Sequence, residues 1–257
     1  MKRPLRWIAL ALVAALFAGL ASLPAAWLAP LLERQTEGRL SLGDAQGSVW
    51  TGSAFIGVAG SGDEPLVPLL PGRFRWRLSP LALVGIVDAR VQNPRALSAP
   101  VGLHGSWRRW QVGDGSLLLP AERLAAVGAP LNTIRPSGQM RLSWTDLVLV
   151  RSAGGLQADG RMQLDLTEVA SALSPVKPLG AYRMRFDWQG GAARVDLKSL
   201  SGPLLLEGRG TLVDGRLQFS GQAWAEEGEE PRLVILLNLL GQRRQVGNRN
   251  VIALEFR

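Results

Sequence analysis

The sequence predicts a mainly β protein: a curved antiparallel sheet, shaped as a half-pipe or a barrel, with a few short helices and one transmembrane helix in front of it. Three observations lead to this fold class. The chain opens on an apolar stretch that is long enough to cross a membrane. Apolar and polar residues then alternate in short runs, as in strands whose side chains point to opposite faces. Glycine separates these runs, and the short links between them favour antiparallel neighbours.

The first element is residues 7–32, which contain no ionisable side chain. A helix needs about 20 apolar residues to cross a bilayer core, so we expect a single-pass anchor here. Lys2, Arg3 and Arg6 precede it, and basic residues stay on the cytoplasmic side. A cleaved signal peptide is the alternative, because small residues occur near position 25, but its apolar core would span only about 7–15 residues.

The rest of the chain follows from this orientation. We predict a cytoplasmic tail at residues 1–6, a charged linker at 33–46 and a periplasmic β-rich domain at 47–257. The predicted strands are a hairpin over 47–60 and the segments 73–78, 86–91, 101–110, 115–119, 138–144, 147–151, 156–166, 182–188, 193–200, 203–212, 216–225 and 251–256. The predicted helices are 81–84 after the Ser79-Pro80 cap, 120–127, 168–173 after a Thr167 cap, and 232–240. The last is predicted to be a buried helix, with a strand as the alternative.

The composition offers little for catalysis. The chain has no cysteine, which excludes disulfides, thiolate metal sites and a lipid-modified N-terminal cysteine. Its single histidine, His104, has no serine in a G-x-S-x-G elbow to activate, and we expect it at the surface. The acidic run at 226–230 lacks the spacing of a calcium loop. We therefore predict a protein that is not an enzyme and that has no catalytic, cofactor or metal site.

Charge and aromatic residues point to contacts instead. The net charge is +8, but the basic residues are dispersed, so no nucleic-acid partner is expected. The nine tryptophans favour core packing, with an apolar surface for a peptide or an acyl chain as the alternative. Tryptophan and arginine are common in interface hot spots. The candidate partner contacts are Trp107, Arg108, Arg109 and Trp110, and the pair Arg243 and Arg244, for which an ordinary solvated pair is the alternative.

Several short motifs, taken in order, resemble one family. They are G-S-V-W-T-G-S-A at 47–54, W-R-L-S-P at 76–80, L-P-A at 119–121, L-G-A-Y at 179–182 and L-L-N-L-L-G at 236–241. Together with the N-terminal anchor, they resemble type II secretion system protein N. The resemblance implies an accessory inner-membrane component that supports export of folded proteins from the periplasm across the outer membrane, by contacts with other inner-membrane components of that machinery. It implies no catalytic residues.

A second class remains open. Anchored, glycine-punctuated β-sheets are also similar to periplasmic lipid-transport proteins of the AsmA or bridge-like type. That resemblance implies lipid as a partner, carried in an apolar groove. A continuous open apolar trough would favour lipid transport, whereas a trough filled by the protein's own side chains would favour the secretion component.

Overall fold

The computed structural model describes residues 19–20, 22–36, 38, 40–58, 67–122, 135–152, 155–213, 216–246 and 249–256, which form one sheet with short helices. The strands are β1 Leu40–Gly47, β2 Thr51–Val58, β3 Val67–Pro68, β4 Phe74–Leu78, β5 Ile86–Gln92, β6 Val101–Ser106, β7 Arg109–Val112, β8 Gly115–Pro120, β9 Pro136–Ser152, β10 Gly155–Ser171, β11 Gly180–Gln189, β12 Ala192–Ser201, β13 Leu204–Val213, β14 Arg216–Ala225, β15 Gln242–Val246 and β16 Arg249–Phe256. The helices are two 3-10 helices, Ala25–Trp27 and Pro80–Val84, and two α-helices, α1 Leu28–Gln35 and α2 Glu230–Leu240.

The sheet is open and curved, and its described pairings are all antiparallel. Its path runs from β1 at one edge to β15 at the other, mostly in the order of the sequence. Strand β9 is 17 residues long, so β7 and β8 both pair along the same side of it. The mainly β prediction is confirmed, and of the two predicted shapes the protein has the open one.

Alternation along each strand gives the sheet one apolar face and one polar face. In β11, Tyr182, Met184, Phe186 and Trp188 point to one side, and the residues between them are mainly charged. The strand register carries this pattern across the sheet, because Met184 lies opposite Leu164 in β10 and Leu197 in β12. We call these two sides the apolar face and the polar face.

A β-bulge keeps the long strands β9 and β10 on this pattern. The register shifts between Asp159 and Arg161, and Asp146 on the facing strand has a left-handed backbone with φ of 54°. A bulge inserts one extra residue and so exchanges the two faces beyond it. As a result Leu147 and Leu149, which are odd-numbered, share the apolar face with the even-numbered Trp144. The extra residue of this bulge is on β9, opposite Gly160 of β10.

Large rings on the apolar face lie over glycines of the neighbouring strand. Trp76 is paired with Gly52, where a Cβ atom would lie 2.5 Å from the indole ring. Trp144 covers Gly115 in the same way, at 2.8 Å. The indole Nε1 of Trp76 donates to the Val49 carbonyl at 3.0 Å, and that of Trp144 donates to the Gly113 carbonyl at 2.8 Å. The recurrent glycines thus make room for aromatic rings.

Two apolar clusters cover parts of the apolar face. The larger one, the C-terminal cluster, joins α2 to β13, β14, β16 and the 176–179 loop. Its buried members are Val176, Leu179, Leu204, Phe219, Ala223, Ala225, Leu233, Leu236, Leu237, Ile252 and Leu254. The smaller one, the N-terminal cluster, consists of Leu70, Phe74 and Ala96 with partly buried neighbours. Between them, Tyr182 donates from its hydroxyl to the Leu204 carbonyl at 2.9 Å.

The structure differs from the prediction at the C-terminal end of the predicted anchor. Most of the predicted anchor and the whole cytoplasmic tail lie outside the described residues. Residues 25–32, assigned to the anchor, instead form the first 3-10 helix and part of α1, which pack on β1 and β2. Pro24 makes a β-bridge to Ser48, and Ala25 is buried. The predicted linker at 33–46 contains the end of α1 and most of β1. No helix among the described residues is long and apolar enough to cross a bilayer.

Two helix predictions also need correction. The helix at 168–173 is wrong, because β10 continues to Ser171 after a second bulge. Pairing of Val169 with Gly180 and of Ala170 with Ser137 outweighs the weak helical preference of so short a segment. The helix at 120–127 falls mostly outside the described residues. The helix at 232–240 is confirmed as α2, but it is buried on one side only.

Candidate functional site

The predicted contact residues at 107–110 divide between two surfaces. Trp107 lies in the turn after β6 and is 56% exposed, and its Nε1 donates to the Ala82 carbonyl. Arg108 and Arg109 beside it are exposed. Trp110 is half-buried on the apolar face, opposite Leu149. The structure therefore brings three of the four candidates together at the surface and assigns the fourth to the packing of the sheet.

The turn of Trp107 packs on the 3-10 helix Pro80–Val84. This helix starts as predicted: the Ser79 hydroxyl accepts from the Leu81 amide at 3.3 Å, and Pro80 occupies the first position. Gly85 ends it with φ of 94°, where glycine is favoured. None of the five helical residues is buried. No role was assigned to this helix from the sequence, although its apolar run at 81–84 was a usable signal.

Five large apolar side chains are exposed here, and we call them the apolar rim. They are Leu81, Leu83, Val84, Ile86 and Trp107. Val84 is the most exposed of them, at 73%. The rim occupies one end of the sheet, which also contains the β1–β2 turn, the β4–β5 connection and the β6–β7 turn.

The described N-terminal segment reaches the body of the protein at this same end. The indole Nε1 of Trp50 donates to the Leu20 carbonyl at 2.7 Å, and the Val49 amide donates to the Leu23 carbonyl at 2.9 Å. The Leu78 amide in turn donates to the Trp50 carbonyl at 2.7 Å. A short series of hydrogen bonds therefore links the end of the N-terminal apolar stretch to the strand that leads into the rim.

A cavity of about 950 Å³ adjoins the rim on the polar face. Its walls include Ser79 and Pro80, and three arginines, Arg75, Arg77 and Arg90, whose side chains are exposed. Arg77 lies directly opposite Arg90 in the β4–β5 pair, an arrangement that costs free energy because like charges repel. Within the part of the chain that the structure describes, none of these three guanidinium groups has an ion pair or hydrogen bond.

The carboxylate of Asp88 also borders this cavity. It lies 3.1 Å from Nδ1 of His104 on the neighbouring strand, and both side chains are exposed. His104 is thus a surface residue, as expected. Among the described residues, no group of three or more histidine, aspartate or glutamate side chains is placed to hold a metal ion.

The second predicted pair, Arg243 and Arg244, lies on the edge strand β15. Arg243 donates to Asn238 Oδ1 in α2 at 3.0 Å, whereas Arg244 forms an exposed ion pair with Glu255 at 3.1 Å. The two side chains lie on opposite faces of the strand and do not form one patch. Near them α2 exposes Ile235 at 64% and Leu239 at 63%. We call β15 and this outer side of α2 the C-terminal edge.

Two groups with shifted pKa values have structural roles. Burial alone would raise the pKa of Asp165, but hydrogen bonds from Arg183 and Gln163 outweigh it and hold that pKa below its usual range. Burial raises the pKa of Tyr182, whose hydroxyl is bonded to backbone carbonyls. Both groups stabilise the middle of the sheet.

Comparison with known proteins decides the family. A family model described as type II secretion system (T2SS), protein N, matches residues 38–251. The chain belongs to the type II secretion system protein N family. The match begins just before β1 and reaches into β16, so it covers nearly the whole sheet. No curated protein and no solved structure matches the chain. As a member of this family, the protein is a component of the type II secretion system. The protein N family is not known for enzymes.

Proposed function

We propose that this protein N family member is an accessory inner-membrane component that supports export of folded proteins across the outer membrane. In this proposal its N-terminus is cytoplasmic, its sheet is periplasmic, and it acts by contacts with other inner-membrane secretion components. The observation that carries the proposal is the family match, because it spans nearly every strand of the sheet.

The proposed anchor is shorter than residues 7–32, because Leu23 and Pro24 already contact the β1–β2 turn. The apolar stretch that precedes these two residues is residues 7–22. It is close to the lower limit of about 17 residues for a membrane-spanning helix.

The C-terminal edge is the proposed surface for a protein partner. An edge strand offers unpaired backbone N–H and C=O groups, to which a strand of another protein can add. The exposed side chains of Ile235 and Leu239 are on α2, which Arg243 of β15 contacts through Asn238. Buried apolar anchors usually form the centre of an interface. Arg243 would supply a polar contact at the periphery of that interface.

The first test is deletion of the gene in its host, with export of secreted hydrolases and outer-membrane permeability measured together. We expect folded hydrolases to accumulate in the periplasm while the outer membrane stays intact. Complementation with I235D/L239D should fail to restore export, because two charges would prevent burial of this surface. A matched variant, Gln218→Asp on the exposed side of β14, should restore it. Equal export with both variants would exclude the C-terminal edge as the partner surface.

One observation favours lipid transport as the second candidate function. Between the two clusters, Trp144, Met162, Phe186 and Trp188 form a half-buried apolar strip across β9 to β11. A bound acyl chain would cover such a strip. Normal export with a leaky outer membrane in the deletion strain would support this function and contradict the secretion role.

A further inference from the structure

We propose that the end of the sheet with the apolar rim lies in the headgroup layer of an anionic membrane. In this arrangement the rim side chains enter the lipid, and Arg75, Arg77 and Arg90 face the phosphate groups. The inference rests on the proposed membrane anchor and adds to it a second, peripheral contact made by the folded body. The proposed ligand is a lipid surface rather than a soluble anion or a protein.

The rim has the composition of a membrane-interface surface. Leu81, Leu83 and Val84 come from a single 3-10 helix that turns its apolar residues outwards. Trp107 is held against this helix by its hydrogen bond to Ala82, so the two loops present one surface. Indole rings are favoured at the headgroup level, where one side of the ring is apolar and the other meets water.

The path of the chain brings this surface to the membrane. The Leu20 and Leu23 carbonyls are bound by the β1–β2 turn, and the apolar stretch of the sequence ends beside them. A stretch close to the minimum spanning length leaves no spacer between bilayer and body. Because the rim occupies the same end of the sheet, an anchored chain must hold the rim close to the bilayer surface.

The charges beside the rim complement anionic headgroups. Arg75, Arg77 and Arg90 line the cavity next to Ser79 and Pro80, without ion pairs among the described residues. The carboxylate that borders this cavity, Asp88, is already close to His104. Guanidinium groups bind phosphate in a bidentate manner, and a bound phosphate would relieve the repulsion between Arg77 and Arg90. Basic residues near a membrane surface are attracted to anionic lipid.

The absence of cysteine from the chain allows a direct test with single-cysteine variants of the full-length protein. Val84→Cys labelled with the fluorophore NBD reports on the rim, and the protein is reconstituted into phosphatidylethanolamine–phosphatidylglycerol vesicles. Glu227→Cys is the matched control, because it is exposed in the loop after β14 at the opposite end of the strands. That end is roughly 33 Å away for a strand of ten residues. Leu12→Cys reports on the anchor itself.

We expect lipids brominated near the headgroup to quench V84C at least twofold and to leave E227C unchanged. Replacing the three arginines by glutamine should reduce the quenching of V84C in anionic vesicles and leave the signal of L12C unchanged. Quenching at L12C without quenching at V84C would overturn the rim contact while retaining the anchor. No quenching at L12C would overturn the anchor. Protection of V84C only when secretion proteins are added would assign the rim to a protein partner and overturn the lipid proposal.

Discussion

Two apolar helices of this protein use similar sequences in opposite ways. Helix α2 and the 3-10 helix Pro80–Val84 both have a proline in the first turn, and both are rich in leucine and valine. Helix α2 buries Leu233, Leu236 and Leu237 in the C-terminal cluster. The 3-10 helix buries none of its residues. The difference shows that an apolar segment at the C-terminal part of the sheet completes the core, whereas a similar segment at the N-terminal part is available for an outside contact.

The largest expected effect would come from α2. Leu233 is fully buried, so Leu233→Ala should lower the free energy of unfolding by about 2–5 kcal/mol through lost transfer energy and a cavity. Leu239→Ala, on the exposed side of the same helix, should change it by less than about 0.5 kcal/mol. Urea unfolding of the full chain in mild detergent, followed by tryptophan fluorescence, measures both. Similar losses for the two variants would contradict the one-sided burial of α2.

A glycine next to Phe219 of the C-terminal cluster provides the next test. A Cβ atom at Gly208 would lie 2.4 Å from the Phe219 ring and 2.7 Å from the Gly221 backbone. Gly208→Ala should therefore destabilise the protein by about 1–3 kcal/mol, because the ring and strand must shift. The matched variant is Gly113→Ala, where the nearest atom lies at 3.4 Å and no such shift is needed. The same unfolding experiment should show little change for Gly113→Ala, and equal stabilities would contradict the proposed ring-over-glycine packing.

The polar face between the two helices should respond to pH. Because the pKa of Asp165 is lower in the folded protein, its ion pair with Arg183 stabilises the fold above the ordinary aspartate pKa. That contribution disappears as the pH falls through the lowered pKa. Asp165→Asn should cost about 1 kcal/mol at pH 7, since the pair is partly solvated, and almost nothing well below pH 3.8. An unfolding difference that does not depend on pH would contradict this assignment.

The smallest effect on stability is expected at the 3-10 helix. Val84→Ser should change the free energy of unfolding by less than about 0.5 kcal/mol, because the side chain is already in contact with solvent. Thermal unfolding in detergent measures it, with Leu233→Ala in parallel. A large loss of stability would mean that the rim is part of the core, and the contrast between the two helices would no longer hold.

Local patterns in the sequence were enough to predict the elements, but not the direction in which they face. The alternation in β4 and β11, the Ser79-Pro80 cap and helix α2 follow from side chains that are neighbours along the chain. The apolar character of residues 80–84 does not reveal which way they face, and the packing of distant strands leaves them unburied. For the same reason, the alternation in β4 assigns Arg75 and Arg77 to one side of that strand without revealing that Arg77 and Arg90 meet.

The wrong helix prediction at 168–173 and the packing of residues 25–32 on the sheet have a common physical origin. Residues 168–173 and 25–32 both carry helix or membrane signals, but their backbones pair or pack with partners elsewhere in the chain. Val169 lies opposite Gly180 across a bulge, and Pro24 lies opposite Ser48. Tertiary contacts of this kind outweigh short-range preference. Strands β7 and β8 both pair with the same side of β9. This pairing also depends on a strand register that no local motif specifies.

The order of the strands has a consequence for how the protein folds. Most strands pair with their immediate neighbours in sequence, so the contacts are local and the chain has a low contact order for a β protein. Each new hairpin can add to the edge strand of the sheet that has already formed. The sheet can therefore fold strand by strand, starting from the N-terminus. Helix α2 and β16 come last in the chain and complete the C-terminal cluster. A chain truncated before Glu230 should therefore leave the β13 and β14 part of that cluster uncovered.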